Sequence, residues 1–222
     1  MFTSLRDPAY VLLSLIVVAI LVRGARTALG RGAAPSTVRR ALHVGVGLWT
    51  VFVTPRFTHL AWALVPPIAF LIVNGRGALR AMVPGLEADG SAGSRRGLWT
   101  FPLGVSLAYL FFWEPGARRE IVAACAILAL ADPAAALVGS RFGQRRFHPF
   151  GHGRTLEGSL AFFVVAAAIV GLVAAGDSTA VVAWRLSIGC AVSATVAEAL
   201  SPPGWDNAAI PVVAATAYNL LS

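Results

Sequence analysis

The chain has 222 residues, 57% of them hydrophobic and 13% charged, with a mean hydropathy of +0.74. That balance excludes an ordinary soluble domain, in which about a quarter of the residues are charged. The net charge of +8 does not point to nucleic acid, because the basic residues fall between apolar runs, where they set membrane topology.

All eighteen basic residues are arginine. Without lysine there is neither a Walker A phosphate loop nor a lysine Schiff base. Any phosphate chemistry must therefore run on arginine, backbone amides and metal. Cys125 and Cys190 lie inside apolar runs without ligand spacing and read as small core residues.

Hydropathy predicts one all-α, polytopic membrane helix bundle over residues 1–222, with apolar segments at 8–22, 41–54, 58–73, 97–113, 120–140, 156–176, 179–199 and 207–221. Several fall short of the ~20 residues that a perpendicular span needs, so the expected count is seven to eight. The first reads as a retained span: Arg6 and Asp7 precede it and no small-residue cleavage site follows. Pro66-Pro67 is expected to kink or break the third. Residues 74–96 read as a loop, with turn signals at Pro84-Gly85 and Asp89-Gly90.

Arginine counting orients the bundle. With eight spans and an outer amino terminus, the loops 23–40, 74–96 and 141–155 face the cytoplasm and hold five, four and four arginines, thirteen of eighteen. The same orientation gathers the polar motifs at the cytoplasmic boundary. The expected location is the inner, plasma membrane of a prokaryote.

The most informative stretch is 131–162, ADPAAALVGSRFGQRRFHPFGHGRTLEGSLAF. Asp132 sits before Pro133 in mid-span, and a charge there costs at least ~2.5 kcal/mol, so it is a functional-site candidate by default. Ala136, Gly139 and Gly143 follow it along one helix face, where another backbone or a nucleotide can approach. Gly139-x-x-x-Gly143 is equally a common helix-packing motif. The loop supplies Arg141, Arg145, Arg146 and Arg154, and Glu157 opens the next span, where an acid also complements the helix dipole. Gly158 keeps that turn bare enough for a phosphate. Carboxylates, guanidiniums and glycines this close suggest a site for a metal-bound polyphosphate. Glu198 closes the seventh segment with no basic neighbour in sequence, and Asp206-Asn207 opens the eighth, where Asp206 could equally be a helix cap. His148 and His152, four apart in a Pro/Gly loop, argue little for zinc.

The run Asp132-Pro-Ala-Ala-Ala-Leu-Val-Gly139-x-x-Phe-Gly143, followed by Arg154-Thr155-Leu-Glu157-Gly158-Ser, resembles the CTP-dependent polyprenol and lipid kinases, which include phytol, farnesol, dolichol and CTP-dependent diacylglycerol kinases. Three more stretches agree in order: Arg39-Arg40-x-x-His43, Gly97 to Trp113, and Glu198 followed by Asp206-Asn207. Arg40 and Arg154 stand where the family more often has lysine. The resemblance implies transfer of the γ-phosphoryl of CTP, with Mg²⁺, to a lipid alcohol. It implies Asp132, Glu157 and Asp206 as metal ligands, with Asp132, Glu157 and Glu198 supplying the base. It also implies Arg39, Arg40, His43, Arg154, Thr155 and Asn207 toward the nucleotide, and Gly139, Gly143 and Gly158 permitting its approach. The lipid tail is expected between spans rich in Phe, Leu and Val. Two alternatives stay open: a cytidylyltransferase acting on a lipid phosphate, and a non-enzymatic transporter or scaffold.

Overall fold

Apolar segments bounded by arginine, proline and glycine form helices, and little else. The computed structural model describes residues 5–83, 86, 92–114, 118–149, 153–175 and 179–222. Its helices are α1 (Arg6–Gly30), α2 (Pro35–Val53), α3 (Leu60–Gly75), α4 (Ala78–Met82), α5 (Ala92–Phe112), α6 (Arg119–Phe142), α7 (Leu156–Ala174), α8 (Ala180–Leu200) and α9 (Asp206–Leu221). A 3₁₀ turn (Thr54–Arg56) follows α2, and two short strands, β1 (Arg146–Phe147) and β2 (Arg154–Thr155), pair antiparallel between α6 and α7. The turn signals at Pro84-Gly85 and Asp89-Gly90, and His152, lie outside the described residues.

Each of the eight expected segments is a helix, and three of them, α1, α2 and α5, run a turn or more beyond the apolar core. Arginine and alanine are good helix formers, so α1 continues through Arg23 and Arg26 to Gly30, and α2 begins at Pro35, a residue suited to a first helical position. Four helices are long and apolar enough to cross a membrane: α1, α6, α7 and α8; α3 is a shorter apolar helix. Large apolar side chains cover the outside, among them Leu172, Val181, Trp184 and Leu220, each at least 70% exposed. Exposure on that scale belongs against hydrocarbon rather than water.

α6 is the central post, packed against α2, α5, α7 and α9. Ile121, Ala124, Ile127, Leu128, Ala129 and Ala131 on it are fully buried. Small residues let the neighbours close in: a side chain at Gly104 would meet Asn207 O, Pro211 and Ala208 of α9. On α1 the buried positions Asp7, Val11, Ser14 and Val18 make a single stripe facing α2 and α3.

Pro66-Pro67 does not break the third apolar segment; α3 runs through both prolines to Gly75. Each interior proline frees the carbonyl four residues back. For Pro102 that is Leu98 O, and Asn74 at the end of α3 donates its Nδ2–H to it at 2.6 Å. At the other end of α3, Asp7 caps from a different helix. It accepts from Thr58 N (3.0 Å), Thr58 Oγ1 (2.7 Å) and His59 N (2.9 Å), so this buried carboxylate is satisfied by the start of α3.

Candidate functional site

Five separated stretches meet at one end of the bundle around a cavity of about 340 Å³. The first turns of α2 bring Arg39, Arg40 and His43; mid-α6 brings Asp132; α9 opens with Asp206 and Asn207; β2 delivers Arg154. Asn74 closes the ring from α3. Apolar side chains complete the lining, among them Val22, Leu42, Val46, Phe70, Leu98 and Phe101. One cavity thus offers both ionic partners and hydrocarbon.

Arg154 is the electrostatic centre. The β1–β2 hairpin carries it there, with Phe147 opposite Arg154 in register and Leu156 N–H donating to Arg145 O at 3.0 Å. Its Nη1 pairs with Glu198 Oε1 and its Nη2 with Asp206 Oδ2 at 3.0 Å. Glu198 lies beneath the cavity floor, its side chain 4% exposed, and is outside the lining. Such a carboxylate persists only because it is paired. Glu198, expected as a base or ligand, therefore acts here as a counter-charge to Arg154.

Asp206 begins α9. Trp205 takes the cap position, and Asp206 Oδ1 accepts from Asn207 N at 2.9 Å. Asn207 Nδ2 donates to Gly97 O at 3.1 Å and ties α9 to α5. The turn before it packs closely as well: Gly204 has φ +74°, where only glycine is unstrained, and Thr100 Oγ1 donates to its carbonyl at 2.5 Å.

Asp132 keeps 25% of its side chain exposed to the cavity, next to His43 at 3.9 Å. His43 Nε2 lies 2.7 Å from Leu128 O. A carbonyl can only accept, so Nε2 carries a proton, and in the neutral ring Nδ1 is the acceptor. His43 also stands edge-on to Phe101 at 4.9 Å. It locks α2 to α6 immediately beside the carboxylate.

The glycine motif lies elsewhere. Gly139, Gly143, Thr155 and Gly158 meet where α6 crosses α7, and none lines the cavity. A side chain at Gly139 would press on Thr155 Oγ1 at 2.7 Å, and one at Gly158 on Ala135 O at 3.0 Å. Thr155 caps α7 by accepting from Gly158 N at 3.1 Å. Packing accounts for all four, which were expected to admit or touch the nucleotide. Glu157 is likewise away from the lining, and its Oε1 accepts from Arg145 N at 3.3 Å.

Among the described residues, no three His, Cys, Asp or Glu side chains gather as a metal site made by protein alone. Magnesium commonly needs only one or two carboxylates and takes its other ligands from phosphate and water. Asp132 and Asp206, both on the cavity wall, fit that demand; Glu157 does not. Sequence reasoning missed Asn74 and the apolar wall of Phe70, Leu98 and Phe101. The signal for Asn74 was present, as the polar residue ending an apolar run. Comparison with protein families, curated proteins and solved structures returns no match for this chain.

Proposed function

We propose that this chain is an eight-span membrane kinase that transfers the γ-phosphoryl group of CTP to the hydroxyl of a lipid alcohol. The observation that carries the reading is the mixed lining of the cavity. Stretches that resemble the CTP-dependent lipid kinases, far apart in sequence, supply its charged lining, and hydrocarbon side chains supply the rest. A nucleotide phosphate suits the first and a lipid the second.

Phosphoryl transfer asks mainly for positioning and for charge stabilisation. Arg39, Arg40 and Arg154 would hold phosphate oxygens, arginine being suited to bidentate contact. The alcohol oxygen attacks the γ-phosphorus, the bond to the bridging oxygen breaks, and CDP leaves. The hydroxyl proton passes to Asp132, which stands outside the Arg154 ion pair. Magnesium, held by Asp206 and the phosphates, would neutralise charge on the transferring group. With the arginine-rich loops on the inner side, the cavity faces the cytoplasm and its nucleotides.

The test is a panel of labelled CTP and ATP against phytol, farnesol, a long polyprenol and diacylglycerol in detergent with magnesium. CDP and a lipid phosphate as products support the reading. Release of pyrophosphate would replace it with cytidylyl transfer, and no nucleotide consumption with any alcohol would sink it.

A further inference from the structure

Deeper in the bundle, α1, α2, α3 and α5 surround a second cavity of about 50 Å³. Val46, Phe70, Phe101 and Pro102 line both cavities, so the two spaces adjoin across these four side chains. From Phe101 to Tyr109 the α5 wall descends eight residues, about 12 Å of helix. The far end is closed by Val53, Phe57, Ala63, Val105 and Tyr109, none more than 4% exposed.

Four wall residues can hydrogen-bond through their side chains, and all four are already matched. Trp49 Nε1 donates to Ser14 Oγ at 3.0 Å, and Ser14 Oγ donates to Tyr10 O at 2.7 Å. Thr50 Oγ1 donates to Val46 O at 2.9 Å, and the Tyr109 hydroxyl pairs with Thr54 Oγ1 at 2.7 Å. A buried water needs two to four polar partners, and the wall side chains leave no donor unmatched. The chamber suits hydrocarbon.

We infer that this chamber receives the end of the substrate's tail, and that it selects alcohols with one short prenyl or alkyl chain over long polyprenols and diacylglycerols. The inference rests on the lipid-alcohol reading of the polar cavity. A water's share of liquid is ~30 Å³, and a methylene is of similar size, so the chamber takes roughly two such groups. Tail ends fit there, and longer chains meet a closed floor. A chamber of about 50 Å³ has no room for a second acyl chain.

Full-length protein in detergent would be irradiated with farnesol carrying a diazirine at its tail end, and the adducts mapped by mass spectrometry. Turnover with CTP and magnesium would be measured in parallel for geraniol, farnesol, geranylgeraniol and a long polyprenol. Adducts are expected on the peptides around Trp49–Val53 and Val105–Tyr109. With increasing length, kcat/KM should rise about fourfold per buried methylene until the chamber fills, then fall for the long polyprenol. Val105→Phe, which fills the chamber, should lower the farnesol-to-geraniol ratio of kcat/KM at least tenfold. Ala63→Val should move the ratio the same way and serves if the first variant does not fold. Adducts confined to outward residues such as Leu12 and Leu172, or a ratio unmoved by both variants, overturns the inference. Should no alcohol be phosphorylated, the kinase reading fails, and the adduct map still decides the chamber.

Discussion

Removing the Arg154 side chain strands a carboxylate. Glu198, 4% exposed, has Arg154 Nη1 as its partner on Oε1, and its Oε2 makes no hydrogen bond. Breaking a buried pair from one side costs ~3–5 kcal/mol. At ~2–4 °C per kcal/mol for a chain of this size, Arg154→Ala should melt about 6–20 °C below the parent in detergent. The effect is one of charge, so it should be reversible by a second substitution. Glu198→Gln in the Arg154→Ala background removes the stranded charge, leaving an amide whose unsatisfied atoms cost ~1–3 kcal/mol, and the melting temperature should recover by more than half. Activity should not recover with it, because Asp206 and the phosphates still lack their guanidinium. The assays are thermal unfolding of the two single variants and the double variant, with CTP turnover on each. An Arg154→Ala protein that melts within 2 °C of the parent refutes the buried-pair argument. A double variant with parental turnover removes Arg154 from the site.

Three further expectations are independent of that one. Asp132→Asn should lower kcat by about 10²–10³ while the protein stays folded, since it removes the proposed proton acceptor, a carboxylate still 25% exposed to the cavity; near-parental turnover excludes that role. Asn74→Leu leaves Leu98 O, freed by Pro102, without its donor, and should destabilise by ~1–3 kcal/mol, measured as a lowered melting temperature. A cysteine at the exposed Arg146 should react with an impermeant thiol reagent only after cells are opened; labelling of intact cells reverses the orientation.

The helical segments were legible because their only requirement is an apolar run between breakers, and α6 through α9 begin and end within about two residues of expectation. Helix ends were less so: arginine-bearing turns continue the helix, and hydropathy cannot see them, as in α1 beyond Val22. At the site, motif order correctly grouped Arg39, His43, Asp132, Arg154 and Asp206. Spacing could not tell which side of α6 each residue takes. Asp132 faces the cavity, whereas Gly139 and Gly143, seven and eleven positions on, turn to α7, where Thr155 and Gly158 fill the crossing. Nor could it show that Glu198, isolated from base in sequence, meets Arg154 forty-four positions away. The apolar wall was hidden because phenylalanine and leucine are everywhere in such a chain. Only the crossing of α2, α3 and α5 selects the few that matter.

Asp7 has a mechanical corollary. It rivets the start of α1 to the start of α3, at the end of the bundle remote from the cavity. The far ends of the same two helices carry Val22 and Asn74, which edge the cavity. Two rods joined at one tip separate most easily at the other, so a widening of the cavity between α1 and α3 is expected to be a tong-like splaying about the Asp7–Thr58 contact. Spin labels on the exposed Arg23 and Arg76 would register that motion when nucleotide is added, and a pair at Leu5 and Trp62 would stay still. The Asp7 end of the bundle would then stay fixed, with any movement confined to the end that carries the cavity.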